Sequence, residues 1–417
     1  MTLTATRPDA ETGGIGIAEP PLQGIRIIAA EQYGAGPFAT MYLSDMGAEV
    51  IKIEPPSTDR GPGGDSSRQS GPYYLGENDS QFFQTFNLGK KSLTLDLRKP
   101  EGQAVLHRLV AGADAVLNNL RGDQPAKLGL THAALARVKP SIVCAHLSGY
   151  GRAGERANWP AYDYLMQAEA GFLSLTGEPD GAPTRMGLSI VDYLTGITTA
   201  FALTAALLGA ARTGRGRDID VTLYDVAMHQ LTYPATWYLN EHVETTRRPR
   251  SGHPSVVPCE TFPTSDGRIF IMCILPKFWE KLCELIGLPE LLSDPRFASN
   301  KARFDNREAL IPRLDAALAT RPTAEWMSRF SGHLPAAPVL AIGQALDNPY
   351  FRATGGVQSV EHPARPDLQV LSNPIRLDGQ RAAARSAPRL GEHTDMLLAE
   401  FGYGPDEIAA LRASGTI

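Results

Sequence analysis

Cysteine is scarce. Cys144, Cys259, Cys273 and Cys283 are the only four in 417 residues, and no two form a C-x-x-C pair. That excludes a disulfide framework and a thiolate metal site, and a reducing cytoplasm is the natural setting. Nine histidines are scattered without H-x-x-x-H or H-E-x-x-H spacing, so no metal site is expected. Excess charge of one sign is lacking too, with 40 basic against 45 acidic side chains and a net charge of −5. A nucleic-acid partner is not favoured by that balance. The opening MTLTATRPDAETGGIGIAEPP has no apolar core of signal-peptide type, and residues 1–20 read as a disordered tail. The apolar run 197–211 falls short of the ~20 residues a membrane span needs. It is expected to be a buried helix, and no membrane partner follows from it.

What is present is an ordinary globular composition, 43% hydrophobic and 20% charged, long enough for two or three domains. GIRIIAAE (24–31) reads as a buried strand, GAGPFA (34–39) as a tight turn, ATMYLSDMG (39–47) as a helix and AEVIKIE (48–54) as a second strand. This is a βαβ unit. A polar, glycine-rich loop covers 57–80. Further strands are expected at 91–97, 113–120 and 141–151, with a helix from Pro100 to Ala111. Alternating strands and helices predict an α/β domain with a mostly parallel sheet covered on both faces. TTRRPRSGHPSVV (245–257) reads as a linker, ETFPTSDGRIFIMC (260–273) as a hairpin and KFWEKLCELIG (277–287) as an amphipathic helix. The expected division is a large domain at 21–225, a linker and small α+β domain at 226–335, and a segment at 336–417 that returns to the large domain.

Two features compete for function. Gly34, Gly36 and Ala39 fit G-x-G-x-x-A between a strand and a helix, and Glu54 ends the next strand. A dinucleotide fold would use these as a phosphate turn and a ribose acid, which keeps an NAD-dependent oxidoreductase open. Pro37 weakens that reading by removing one helix-start amide. The other feature is Asp192, the single charged residue between Met186 and Ala211. It reads as lying just before the helix 193–211. An aspartate there is either a plain N-cap or a poorly hydrated nucleophile. Lys90 and Lys91 read as a solvated strand entry, and His253 and His393 as structural.

Five stretches decide between them: PLQGIRIIAAEQYGAGPFATMYLSDMGAEVIKIEPP (21–56), NLGKKSLTLDLRKPEG (87–102), AYDYLMQAEAGFLSLTG (161–177), IVDYLTGITTAFALTAALLGAARTGRGRDIDVTLYD (190–225) and LGEHTDMLLAEFGY (390–403). In this order, across nearly the whole chain, they resemble the class III CoA-transferase family, of CaiB/BaiF type. The resemblance implies a Rossmann-like large domain, an interlocked homodimer and a CoA-transferase acting on acyl-CoA thioesters and small carboxylic acids, with no permanently bound cofactor. It makes Asp192 the catalytic aspartate that becomes acylated, and Asp163 a supporting acid. It places coenzyme A along Gln32, Tyr33, Gly34 and Ala35, along Leu95, Asp96, Leu97 and Arg98, and along Asn119, Leu120, Arg121 and Lys127. SGHP (251–254) stands where the formyl-CoA branch has a glycine-rich flap, which argues against formate–oxalate exchange. The α-methylacyl-CoA racemases resemble the chain too. Their histidine base maps onto Tyr162, and a phenol of ordinary pKa ~10 is a poor base near neutrality. Transfer is therefore preferred to racemisation.

Overall fold

The computed structural model describes residues 19–59 and 61–417. The expected N-terminal tail lies, up to residue 18, outside the described residues. The first element is β1 (Arg26–Ala30), whose Ile27, Ile28 and Ala29 are fully buried. Apolar residues on both faces suit a central parallel strand. α1 (Ala35–Asp45) follows, and Gly47 reverses the chain at φ +102° into β2 (Glu49–Glu54). α1 begins four residues earlier than its apolar pattern predicts. Gly34 takes the N-cap, and Pro37 falls in the first turn, where a missing N–H costs nothing.

The sheet continues with β3 (Lys91–Thr94), helix α2 (Pro100–Ala111), β4 (Ala115–Asn118), β5 (Val143–Ser148), helices α3 (Asp163–Glu169) and α4 (Ile190–Thr213), and β6 (Asp218–Thr222). β3 is shorter than the expected 91–97. The Asp96 carboxylate accepts the Arg98 N–H at 3.0 Å and turns the chain out of the sheet. The six strands are all parallel, in the order β3-β2-β1-β4-β5-β6. The chain thus starts mid-sheet, builds outward, and returns to the other side of β1. Strand order reverses between β1 and β4, and the carboxyl ends of those two strands open a crevice.

One face of the sheet packs Val105, Leu106, Leu109 and Val110 of α2, together with the C-terminal helices α8 (Thr394–Glu400) and α9 (Pro405–Ala413). The other face packs α1 and α4. Gly196 lets α4 cross α1 closely: a β-carbon there would sit 2.8 Å from the Ala35 carbonyl oxygen. Two expectations about α4 are corrected. It runs 24 residues, long and apolar enough to cross a bilayer by length and composition. Nor is it buried all round. Val191, Thr195, Thr199, Leu203, Leu207 and Ala210 form a buried stripe of helical period, whereas Ile197, Phe201 and Leu208 are exposed.

A second core lies outside the sheet. β7 (Cys259–Pro263) and β8 (Arg268–Met272) form the expected hairpin, with β9 (Ala336–Pro338) added to β8. Against it pack α5 (Pro276–Ile286), α6 (Arg307–Leu318) and α7 (Thr323–Phe330), through Trp279, Leu282, Leu314, Trp326 and Phe330. All four cysteines are free and buried.

Candidate active site

The crevice between β1 and β4 contains a cleft of about 220 Å³, bordered by Gln32, Tyr33, Gly34, Ala35, Asn119, Leu120, Arg121, Tyr162 and Asp192. A second cleft of about 350 Å³ is bordered by Gln32, Leu95, Asp96, Leu97, Arg98 and Leu120. The two share Gln32 and Leu120, so residues predicted from three separate loops meet along one track. Lys127 borders neither cleft. Its ammonium pairs with Asp123 at 2.6 Å, and Arg121 pairs with the same carboxylate at 2.5 Å.

Asp192 lies inside the first turn of α4, not before it, and caps nothing: Ser189 is the N-cap residue. The cap is supplied from outside. Asp163, at the start of α3, is 4% exposed, and its Oδ2 accepts the Asp192 N–H at 3.0 Å. Gln167 Nε2 donates to the other oxygen, Oδ1, at 2.6 Å. Asp163 therefore ties the start of α4 to α3 and holds a second carboxylate beside the first. Among the described residues the Asp192 carboxylate forms no ion pair and accepts no hydrogen bond. Burial, and then the charge of Asp163, push its pKa from 3.8 up to about 7. The helix N-terminus favours the ionised form, but burial outweighs it. Tyr193, the next residue, packs on Phe38 with ring centroids 5.0 Å apart.

Gly34 has a steric reason. A β-carbon at this position would stand 2.6 Å from Asp192 Oδ2, so the turn after β1 makes room for that carboxylate. The turn is pinned on both sides. Gln32 N–H donates to Asn119 Oδ1 at 2.8 Å, and Asn119 Nδ2 donates back to the Gln32 carbonyl at 2.6 Å. Tyr33 is left-handed, at φ +67°, and its N–H donates to Asp65 at 3.0 Å. A non-glycine residue in that region is strained and persists only where its surroundings over-determine it.

Behind the turn lies a group of buried charges that the sequence reading missed. Lys52 Nζ donates to Asp65 Oδ2 at 2.9 Å and to the Glu31 carbonyl at 3.0 Å. Lys90 Nζ donates to Glu31 Oε1 at 2.7 Å, to the Pro37 carbonyl and to Asn87. The solvated entry expected at Lys90 is thus corrected: the side chain is buried because the fold brings Glu31 and two further acceptors to it. Burial lowers its pKa to about 8 despite Glu31. Lys91 is part-exposed and pairs with Glu49. Glu54, the acid of the apparent dinucleotide fingerprint, is 1% exposed and bonded to Arg68, Ser92 and the Asp65 N–H. It has no free oxygen for a ribose, which removes the nicotinamide reading.

The crevice at the strand-order reversal, lined by the ends of β1 and β4 and by an unpaired carboxylate in the first turn of α4, lies where open parallel sheets bind their ligands. Comparison with known proteins gives the class. The profile of CoA-transferase family III matches residues 22–394. The succinate–glutarate CoA-transferase of Agrobacterium fabrum is 34% identical over 401 residues, covering 92% of this chain and 96% of that protein. The acetyl-CoA:oxalate CoA-transferase of Acetobacter aceti is 33% identical, with 91% and 96% covered. A crystal structure of a CaiB/BaiF family protein from Brucella suis superposes with a TM-score of 0.79 at 32% identity, over 92% of this chain and all of that one. The chain belongs to CoA-transferase family III. It is a transferase whose substrates are coenzyme A thioesters.

Proposed function

We propose that the enzyme moves coenzyme A between two acids, at least one of them a dicarboxylic acid, with Asp192 as covalent acyl carrier. The carrying observation is the Asp192 carboxylate: unpaired, poorly solvated, in the first turn of α4 and at the cleft wall. The relatives' names concern succinate, glutarate and oxalate. An ionised Asp192 oxygen attacks the donor thioester carbonyl, the C–S bond breaks, and CoA leaves as thiolate. The product is a mixed anhydride. The thiolate attacks the aspartyl carbonyl, releases the donor acid and leaves aspartyl-CoA. The acceptor carboxylate attacks that thioester and again displaces thiolate. Thiolate then attacks the acceptor carbonyl, and acyl-CoA departs as the Asp192 carboxylate reforms. No proton or electron is gained or lost, so the cycle requires no metal and no permanently bound cofactor.

The first-turn amides of α1 at Gly34 and Ala35 have no acceptor within the helix and border the same cleft as Asp192, which suits them to the developing oxyanions. Coenzyme A would lie along the two clefts, with Leu95 to Arg98, Asn119, Leu120 and Arg121 beside it. Lys127 would contact a phosphate only by leaving Asp123. The exposed apolar side chains Phe201, Leu239, Ile342 and Tyr350, each at least 73% exposed, support a homodimer. Light scattering would then give twice the chain mass, and a stable monomer would refute the dimer. For the reaction, the protein incubated with succinyl-CoA and trapped with hydroxylamine or borohydride carries its adduct on the Asp192 peptide. No adduct there, with transfer demonstrated, refutes the covalent route.

A further inference from the structure

The acid pair Asp163 and Asp192 has no counter-ion in direct contact. A dicarboxylate reacting at one end with Asp192 brings a further negative charge to the same place. Something must meet it, or like-charge repulsion works against binding. Most arginines around α3 and α4 are occupied. Arg156 pairs with Glu169. Arg247 donates to the carbonyls of Glu178, Gly181 and Ala182 at 2.8–3.0 Å. Arg250 pairs with Asp315 at 2.6 Å.

Arg185 differs. Its segment is tied to the acid pair through Gln167, whose Oε1 accepts the Met186 N–H at 2.9 Å. Its Nε2 donates both to the Leu188 carbonyl at 3.1 Å and to Asp163. The Arg185 guanidinium lies over the Tyr164 ring at 4.2 Å, and Nη1 donates to the Met186 carbonyl at 2.9 Å. Among the described residues it forms no ion pair. Burial raises the Asp163 pKa, and the bonds from the Asp192 amide, Gln167 and the Val191 amide, with the Arg185 charge after them, draw it back. The side chain is exposed, so an empty site leaves it hydrated.

We infer that Arg185 binds the distal carboxylate of a dicarboxylic acyl group whose other end reacts at Asp192. This rests on the transferase reading above and assigns its acid specificity. A guanidinium presents a flat donor edge that fits a carboxylate with two parallel bonds. Stacking on Tyr164 sets the plane of that edge, and Nε and Nη2 remain free to donate. The arrangement selects for the second carboxylate and ignores the reacting one, so Arg185 determines specificity and does not take part in the acyl chemistry.

The test measures kcat/KM for the acceptor at saturating acyl-CoA donor, which in a two-stage cycle reports the acceptor half-reaction alone. Glutarate is compared with butyrate for the wild type, Arg185→Gln and Arg185→Lys. A charge-assisted contact is worth roughly a tenfold to hundredfold change. The expected result is a tenfold or greater rise in KM for glutarate in Arg185→Gln, butyrate unchanged, and most of the loss recovered in Arg185→Lys. Equal losses for both acids would show that Arg185 only holds its loop, and would overturn the inference. So would no change for glutarate. A wild-type protein that transfers CoA to no acid overturns the transferase reading itself, and is recognised before any variant is made.

Discussion

Two aspartates flank the turn after β1, Asp65 buried and Asp192 part-buried, and they are treated oppositely. Asp65 stands behind the turn. It accepts N–H groups from Tyr33 and Ser67 and pairs with Lys52 at 2.9 Å. Burial opposes its charge, but Lys52 and those bonds outweigh it and hold its pKa below the usual carboxylate value. Asp192 stands in front of the turn. It receives no cation and no donor, only a second carboxylate, and its pKa rises to about 7. A carboxylate that positions backbone is best fully satisfied. A carboxylate that must attack a carbonyl is best left ionisable and poorly solvated. The turn Gln32–Gly34 reads both: Asp65 fixes its shape, and Gly34 clears the space Asp192 occupies.

Breaking the contrast at Asp192 gives the largest effect. Asp192→Asn removes the nucleophile, and CoA-exchange assays should show kcat falling by at least about 10³-fold while the melting temperature holds or rises. Breaking it at Asp65 has the reverse signature. Asp65→Ala leaves Lys52 buried without its closest partner and should cost ~3–5 kcal/mol of stability, read by denaturant unfolding. If Asp65→Ala unfolds no more easily than wild type, the buried group is not what holds the turn. A smaller effect tests the space between them. Gly34→Ala puts a β-carbon where Asp192 Oδ2 sits, displacing the carboxylate at the cleft wall, and should lower kcat by ~10–100-fold with little loss of stability.

The smallest effect is a pH dependence. Asp192 holds its proton more tightly folded than unfolded. Its contribution to stability is present below its ordinary pKa of 3.8 and is lost as pH rises to about 7. Activity runs the other way, because the attacking form is ionised. kcat/KM should rise through an apparent pKa near 7, and Asp192→Asn should flatten the matching part of the stability profile. A rate profile flat from pH 5 to 8 would contradict the environment assigned to Asp192.

Much of this was legible in the residues. The βαβ start, the parallel sheet, the hairpin of the second core and the isolation of Asp192 follow from apolar periodicity, glycine positions and the absence of nearby charge. What was not legible depends on distant partners. Lys90 looks like a solvated residue beside Lys91, and only the fold reveals Glu31, Asn87 and the Pro37 carbonyl around it. Asp65 and Arg68 sit in a polar loop whose composition resembles open surface, and nothing local marks them as buried. Asp163 was an expected supporting acid. Its role as a cap for α4, contributed from another helix 29 residues away, required the packing of α3 on α4. The exposed face of α4 was hidden for a related reason: a helix with no charged residue between Asp192 and Arg212 gives no sign of which side the protein covers.

The central claim is that acyl groups pass through the Asp192 carboxylate, and oxygen isotopes test it directly. In the proposed cycle the bridging oxygen of the second anhydride comes from the acceptor acid and stays on Asp192 when acyl-CoA departs. A single turnover with an acceptor bearing ¹⁸O in its carboxylates, followed by mass spectrometry of the digested protein, should show the peptide containing Asp192 heavier by one ¹⁸O, repeated turnover should raise this to two, and every other acidic peptide should be unchanged. An unlabelled Asp192 peptide after demonstrated turnover, or the label on a different residue, would contradict the account.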